Sequence, residues 1–125
     1  MRAYSCASTP IAVMDAATKL WSEESHVVAT RALYRAKYDL ADRLLGDRFG
    51  YYRPEGGFYL WLDVGDGEEA TRRLWAQAGI KALPGAYLTK PEPDGSNAGD
   101  SYIRLALVHD LETTEAALTR LAQVL

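Results

Sequence analysis

The chain has 125 residues, 48% hydrophobic and 25% charged, a mix that suits one folded domain with an ordinary core and excludes a second core or wholesale disorder. Lys and Arg total 14 against 17 Asp and Glu, so the net charge of −3 lacks the basic footprint of a nucleic-acid binder. Apolar runs are too short to span a bilayer, the single Cys6 excludes an internal disulfide, and without an apolar leader the expected compartment is the cytoplasm.

Thr9-Pro10 opens a helix expected over residues 10–21, with Thr as the cap and Pro in the first turn. A second helix is expected from near Ser22. Its stripe of Val27, Leu33, Tyr34, Leu40, Ala41, Leu44 and Leu45 is interrupted by Thr30 and Lys37, and Gly46 ends it. Phe49 to Arg53 reads as a strand, Pro54-Glu55-Gly56-Gly57 as a turn, and Phe58 to Val64 as the returning strand of a hairpin. On that strand Phe58, Leu60, Leu62 and Val64 share a face. Asp66 caps a third helix, with Glu69 as its reciprocal partner and Ala70, Leu74, Trp75 and Ala78 as its apolar side, before Gly79 stops it. A strand is expected at Ile80 to Leu83, then a polar connection from Pro84 to Asp100 long enough to be functional or mobile. A strand around Arg104 follows, and a last helix is capped by Asp110 and striped by Leu118, Leu121, Ala122 and Leu125. Helices packed on a small mixed sheet are the expected α/β (α+β) architecture.

Arg104 is the residue that asks for a function. In Ser101 to Val108, Ile103, Leu105 and Leu107 point one way, while Tyr102, Arg104, Ala106 and Val108 point the other. A guanidinium on an apolar strand needs an anion to offset its desolvation, and its donor fork matches a carboxylate bidentately. The partner is either a ligand or an internal carboxylate, Asp63 or Glu55.

Other motifs carry less. Gly65-Asp66-Gly67-Glu68-Glu69-Ala70 has the spacing of a dinucleotide fingerprint, but three acids at a helix start repel pyrophosphate, so a capped helix after a glycine turn is the better reading. His26, His109 and Cys6 have no metal-ligand spacing, and no nucleophile elbow is present. Tyr51-Tyr52 and Phe58-Tyr59-Leu60-Trp61 read as core and hairpin packing.

Leu20 to Val27, Arg31 to Lys37, Arg53-Pro54-Glu55-Gly56-Gly57-Phe58-Tyr59-Leu60-Trp61, Pro84-Gly85 and Tyr102 to Val108 together resemble the C-terminal part of a class I/II aminotransferase. The likeness is closest to the succinyldiaminopimelate transaminases of lysine biosynthesis; Met14 departs from the Gln expected there. It implies the C-terminal domain fold of fold type I enzymes, a pyridoxal 5′-phosphate cofactor, amino-acid and 2-oxo-acid substrates, a homodimer, and substrate α-carboxylate binding by Arg104. The resemblance also implies that Gly56, Gly57 and Phe58 shape the hairpin and that the Pro84-Gly85 loop approaches the substrate.

The family's Schiff-base lysine, its pyridine-partnering aspartate and its phosphate-holding helix start lie upstream of the matched stretch, and Lys19, Lys37, Lys81 and Lys90 do not match that lysine's context. The expectation is therefore a small domain over 22–125, preceded by residues 1–21 as the remnant of a junction with a missing large domain. It would contain no catalytic residue and bind no cofactor or metal alone, and a separate large-domain chain could complement it. The alternative is a non-catalytic product of a truncated or split gene acting as a binding module. In either case Ile11, Val13, Leu20 and Trp21 would form an apolar patch prone to association.

Overall fold

A computed structural model describes residues 9–125, so Cys6 lies outside the described residues. The chain divides into two units, Met1–Leu33 and Tyr34–Leu125.

In the first unit, helix α1 spans Ile11–Trp21. Pro10, rather than Thr9, takes the cap position: its fixed φ of −57° suits the entry, and its carbonyl accepts from Val13 and Met14 N–H at 3.0 and 3.1 Å. No residue of α1 is buried, and Ile11 and Trp21 are 76% and 84% exposed. Helix α2, Ser25–Leu45, begins later than Ser22 because Glu23 organises its entry. The Glu23 carboxylate accepts the Ser25 N–H at 2.8 Å and lies 3.0 Å from His26 Nδ1. The hydrogen bonds to His26 and Ser25 hold its carboxyl at about 2.

The second unit contains the core. From Tyr34 on, α2 buries Lys37, Tyr38, Ala41 and Leu45, so Lys37 belongs to the packed face rather than interrupting it. The Lys37 ammonium escapes the cost of burial by donating to Leu107 O at 2.8 Å and lying 4.7 Å from the Tyr34 ring. Gly46, at φ 54°, provides the left-handed exit.

The expected strand at Phe49 to Arg53, and with it the hairpin, is not formed. Arg48–Gly50 is instead a 3₁₀ turn in which Phe49 and Gly50 have φ of 58° and 57°, a pair of left-handed residues no strand accommodates. Phe49 tolerates that conformation while packing half-buried against the core, with the Arg48 guanidinium 4.6 Å from its ring centroid.

Three strands form one sheet in the order β1-β3-β2: β1 is Tyr59–Asp63, β2 is Leu83–Pro84 and β3 is Tyr102–Ala106. Both pairings are antiparallel. The register sets Leu60 against Leu105, Trp61 against Arg104 and Leu62 against Ile103, with Leu83 opposite Arg104 on the other edge. Leu60, Leu62, Ile103 and Leu105 turn to the side where Tyr38, Ala41 and Leu45 pack, together with the helices below, each fully buried Leu or Ile contributing roughly 1.5–3 kcal/mol.

Helix α3, Gly67–Arg73, starts where Asp66 Oδ1 accepts the Glu69 N–H at 2.9 Å. The reciprocal half of the expected capping box is missing, because the Glu69 carboxylate instead pairs with Arg72 at 3.0 Å. After Arg73 the helix widens into a π turn over Leu74–Ala78, ended by Gly79 at φ 65°. The wider turn shifts the helical phase, which keeps Leu74 and Ala78 buried but leaves Trp75 56% exposed, contrary to its expected place on the apolar side. Helix α4, Leu111–Val124, is capped by Asp110 Oδ1 on the Thr113 N–H at 2.7 Å and buries Leu118 and Leu121.

Of the strand expected at Ile80 to Leu83, only Leu83 pairs, with Pro84 added. The connection that follows is tied at its neck. Gly85 and Gly99 pass so closely that a Cβ on Gly85 would sit 2.5 Å from Gly99 O. Asn97 Oδ1 takes the Thr89 hydroxyl and accepts the Gly99 N–H at 3.0 Å, and Thr89 Oγ1 also reaches Gly85 O at 3.1 Å.

Candidate functional site

Alternation along β1 and β3 gathers Tyr59, Trp61 and Asp63 with Tyr102, Arg104 and Ala106 on the sheet face opposite the core. Arg104 is half-buried there. Its guanidinium carbon lies 4.6 Å from the Tyr59 ring centroid, and Trp61 stacks on Tyr102 at 5.4 Å and 17°. The aromatics therefore support the guanidinium and shield its stem, while its N–H donors have no protein acceptor among the described residues.

The internal partners weighed from sequence do not form. Among the described residues neither Asp63 nor Glu55 makes an ion pair with Arg104; Asp63 instead accepts the Gly65 N–H at 3.2 Å across its turn. Arg53, on the chain leading into β1, takes two carboxylates, Asp39 at 2.7 Å and Asp42 at 2.5 Å. Tyr51 donates to the same Asp42 at 2.5 Å; that hydrogen bond draws the Asp42 carboxyl below its usual range, while burial and Asp42 push the Tyr51 phenol far up. This network anchors the segment before Pro54-Glu55-Gly56-Gly57 to α2, with Gly57 at φ 105° supplying a bend only glycine makes easily.

Two contacts hold the Arg104 platform from the α2 side. Tyr38 donates its hydroxyl to Tyr59 O at 3.1 Å, and Lys37 grips Leu107 O just past the end of β3. Phe58 continues the aromatic surface, its ring 4.1 Å from Tyr59 and 6.1 Å from Tyr34. Of Tyr51-Tyr52 and Phe58 to Trp61, expected from sequence to be core and hairpin packing, Leu60 is core and Tyr51 packs half-buried against it, whereas Tyr52 is 69% exposed and Phe58 and Tyr59 are each more than a third exposed. The signal that could have placed Tyr59 and Trp61 beside Arg104 is the same alternation that put Leu60 and Leu62 in the core.

The four lysines weighed from the sequence lie apart from Arg104 in their contacts. Lys37 is committed to Leu107 O, Lys81 lies 5.0 Å from the Trp75 ring centroid, and Lys19 and Lys90 are exposed. Among the described residues no group of His, Cys, Asp or Glu could hold a metal ion, and no helix is long and apolar enough to cross a membrane.

The family model for aminotransferase class I and II matches residues 1–121. The chain belongs to that family. Among solved structures it is similar to an aminotransferase from Neisseria meningitidis, with 35% identity and a TM-score of 0.89, over 98% of this chain and 31% of that one. It is similar also to the aminotransferase AspB from Helicobacter pylori, at 29% identity and a TM-score of 0.81, over 98% of this chain and 30% of that one. LysN, an alpha-aminoadipate aminotransferase from Thermus thermophilus, shares the fold at 22% identity and a TM-score of 0.64, over 85% of this chain and 28% of that one. No curated protein matches. The class I and II aminotransferase chain described here thus spans about a third of the length of these two relatives from Neisseria meningitidis and Helicobacter pylori.

Proposed function

We propose that this chain furnishes the substrate-binding small domain of a pyridoxal 5′-phosphate-dependent aminotransferase, with Arg104 binding the substrate α-carboxylate. The observation that carries the reading is a half-buried guanidinium on an aromatic platform with its donors unclaimed by any carboxylate among the described residues. Aromatic walls exclude water from one side of the guanidinium, which strengthens a bidentate carboxylate contact and fixes the orientation of the bound acid. Tyr59 holds the fork in place, and Tyr38 and Lys37 fix the strands beneath it.

In such an enzyme residues 22–125 form the small domain and residues 1–21 the junction with a large domain, which carries the lysine and phosphate contacts lacking here. The cofactor supplies the electron sink for moving an amino group between an amino acid and a 2-oxo acid; the residues of this chain contribute binding and orientation. The sequence likeness favours N-succinyl-diaminopimelate as the amino compound, a cytoplasmic setting and a homodimer. The chain alone performs no transamination.

The test is Arg104→Gln in an enzyme that joins this chain to a cofactor-bearing large domain. Losing a charge-assisted bidentate contact of about 3 kcal/mol raises KM for the amino acid roughly 100-fold. Arg104→Lys restores charge without the fork and recovers only part of the loss. An unchanged KM in Arg104→Gln removes the residue from this role, and a substrate survey in the unaltered enzyme decides whether N-succinyl-diaminopimelate is preferred over other amino acids.

A further inference from the structure

β3 and the segment leading into β2 start as partners and then part. Extending the Leu83–Arg104 register would set Lys81 against Ala106 and Ile80 against Leu107, yet strand pairing stops at Leu83. Where the ladder fails there is a cavity of about 410 Å³, lined by Gly79 to Lys81 on one side, Leu105 to His109 on the other, and by Trp75 and α4 residues between Thr113 and Arg120. Arg104 is not among its lining residues.

The lining is chemically divided. Ile80, Leu105, Leu107 and Leu118 make a buried apolar floor. Lys81, His109 and Arg120 supply the ionisable side chains, and among the described residues no Asp or Glu lines the cavity, although the whole chain carries a net charge of −3. Lys81 and Arg120 form no ion pair among the described residues. Lys81 overlies the Trp75 ring, and Arg120 donates Nε to Ala116 O of its own helix at 3.3 Å, its Nη groups having no acceptor among the described residues. The volume falls in the range of about 300–1,000 Å³ typical of small-molecule sites.

We propose that this cavity binds a small monocarboxylate with an apolar body, the tail lying on the leucine and isoleucine floor and the carboxylate reaching Lys81 and Arg120. An anion without an apolar body would leave the floor wet, and a neutral apolar molecule would gain nothing from the two exposed cations at the rim; a molecule with both parts uses both features.

The experiment is a titration of the full ¹⁵N-labelled chain with hexanoate, followed by amide NMR, with acetate and 1-hexanol as matched probes. Hexanoate is expected to move the Lys81, Leu107, His109 and Thr113 amides along saturating curves, with acetate and 1-hexanol at least tenfold weaker. Lys81→Gln combined with Arg120→Gln should weaken hexanoate at least fivefold and leave 1-hexanol unchanged. Because Lys81 is exposed, Lys81→Gln alone preserves the fold and gives a smaller loss in the same direction if the double variant does not fold. The proposal is overturned if those amides show no saturable shift, if 1-hexanol binds as tightly as hexanoate, or if the variants bind hexanoate undiminished.

Discussion

Replacing Gly67 by Ala tests how the strand carrying Arg104 is seated. Gly67 lies in the first turn of α3, its N–H donating to Asp100 O at 2.7 Å. A Cβ built there would fall deep inside contact with Tyr102 O, while standing 3.0 Å from Asp100 O and 3.1 Å from Tyr102 C. All three atoms are backbone, so no side chain can swing aside. Relief requires α3 and the start of β3 to separate by about an ångström, and overpacking of that kind costs about 3 kcal/mol or more. A domain of this size has roughly 5–15 kcal/mol in total, so the variant should lose a large share of its stability. Gly46→Ala is the control. It has open space around a Cβ but φ of 54°, so its cost is only that of left-handed backbone, about 1 kcal/mol. Urea unfolding followed by circular dichroism measures both, with equal slopes required for the comparison. Gly67→Ala within about 1 kcal/mol of the unaltered chain would refute the close-approach reading.

The Asp110 carboxyl sits below its usual range because the Thr113 N–H and hydroxyl bond its charged form. Its contribution to stability is therefore full above the ordinary carboxylate value of about 4 and fades as pH falls through the lowered folded value. Asp110→Asn keeps an acceptor at the cap without that titration, so the gap in urea midpoint between the two proteins should narrow from pH 7 to pH 2.5; a constant gap rejects it. The purified chain mixed with pyridoxal phosphate should show no cofactor absorbance that survives dialysis, and a retained band abolished by replacing one lysine would contradict the lysine placements. The exposed Ile11, Val13, Leu20 and Trp21 of α1 should drive concentration-dependent association in sedimentation runs, reduced by Ile11→Glu with Leu20→Glu. A monomer at all concentrations would count against it.

What could be read from the sequence divides by range. Both Asp caps, the Gly46 and Gly79 exits and the existence of all four helices depend on residues within a turn of one another, and each is found close to its expected place. Strand pairing depends on residues far apart. Nothing local to Phe49 announces its left-handed backbone, and nothing in Phe58 to Val64 says that its partner lies some forty residues on at β3 rather than before the Gly56-Gly57 turn. The glycines of the false dinucleotide fingerprint have reasons visible only in three dimensions: Gly65 turns at φ 82°, and Gly67 makes room for Tyr102. Lys37 misled because a lysine in an apolar stripe reads as an interruption, whereas its long stem lets the ammonium reach a strand-end carbonyl. For the proposed site, Arg104 stood out because a fixed charge in an apolar strand is a local anomaly, while the aromatic residues beside it were hidden by the default that aromatic runs build cores.

The crossing of Gly85 and Gly99 has an evolutionary consequence. Everything between them returns to the strand through one cinched point, so the excursion from Lys90 to Ser96 is mechanically insulated from β3. Sequence drift, insertion or deletion at that tip can be absorbed without displacing Arg104, provided both glycines and the Thr89–Asn97 clasp persist.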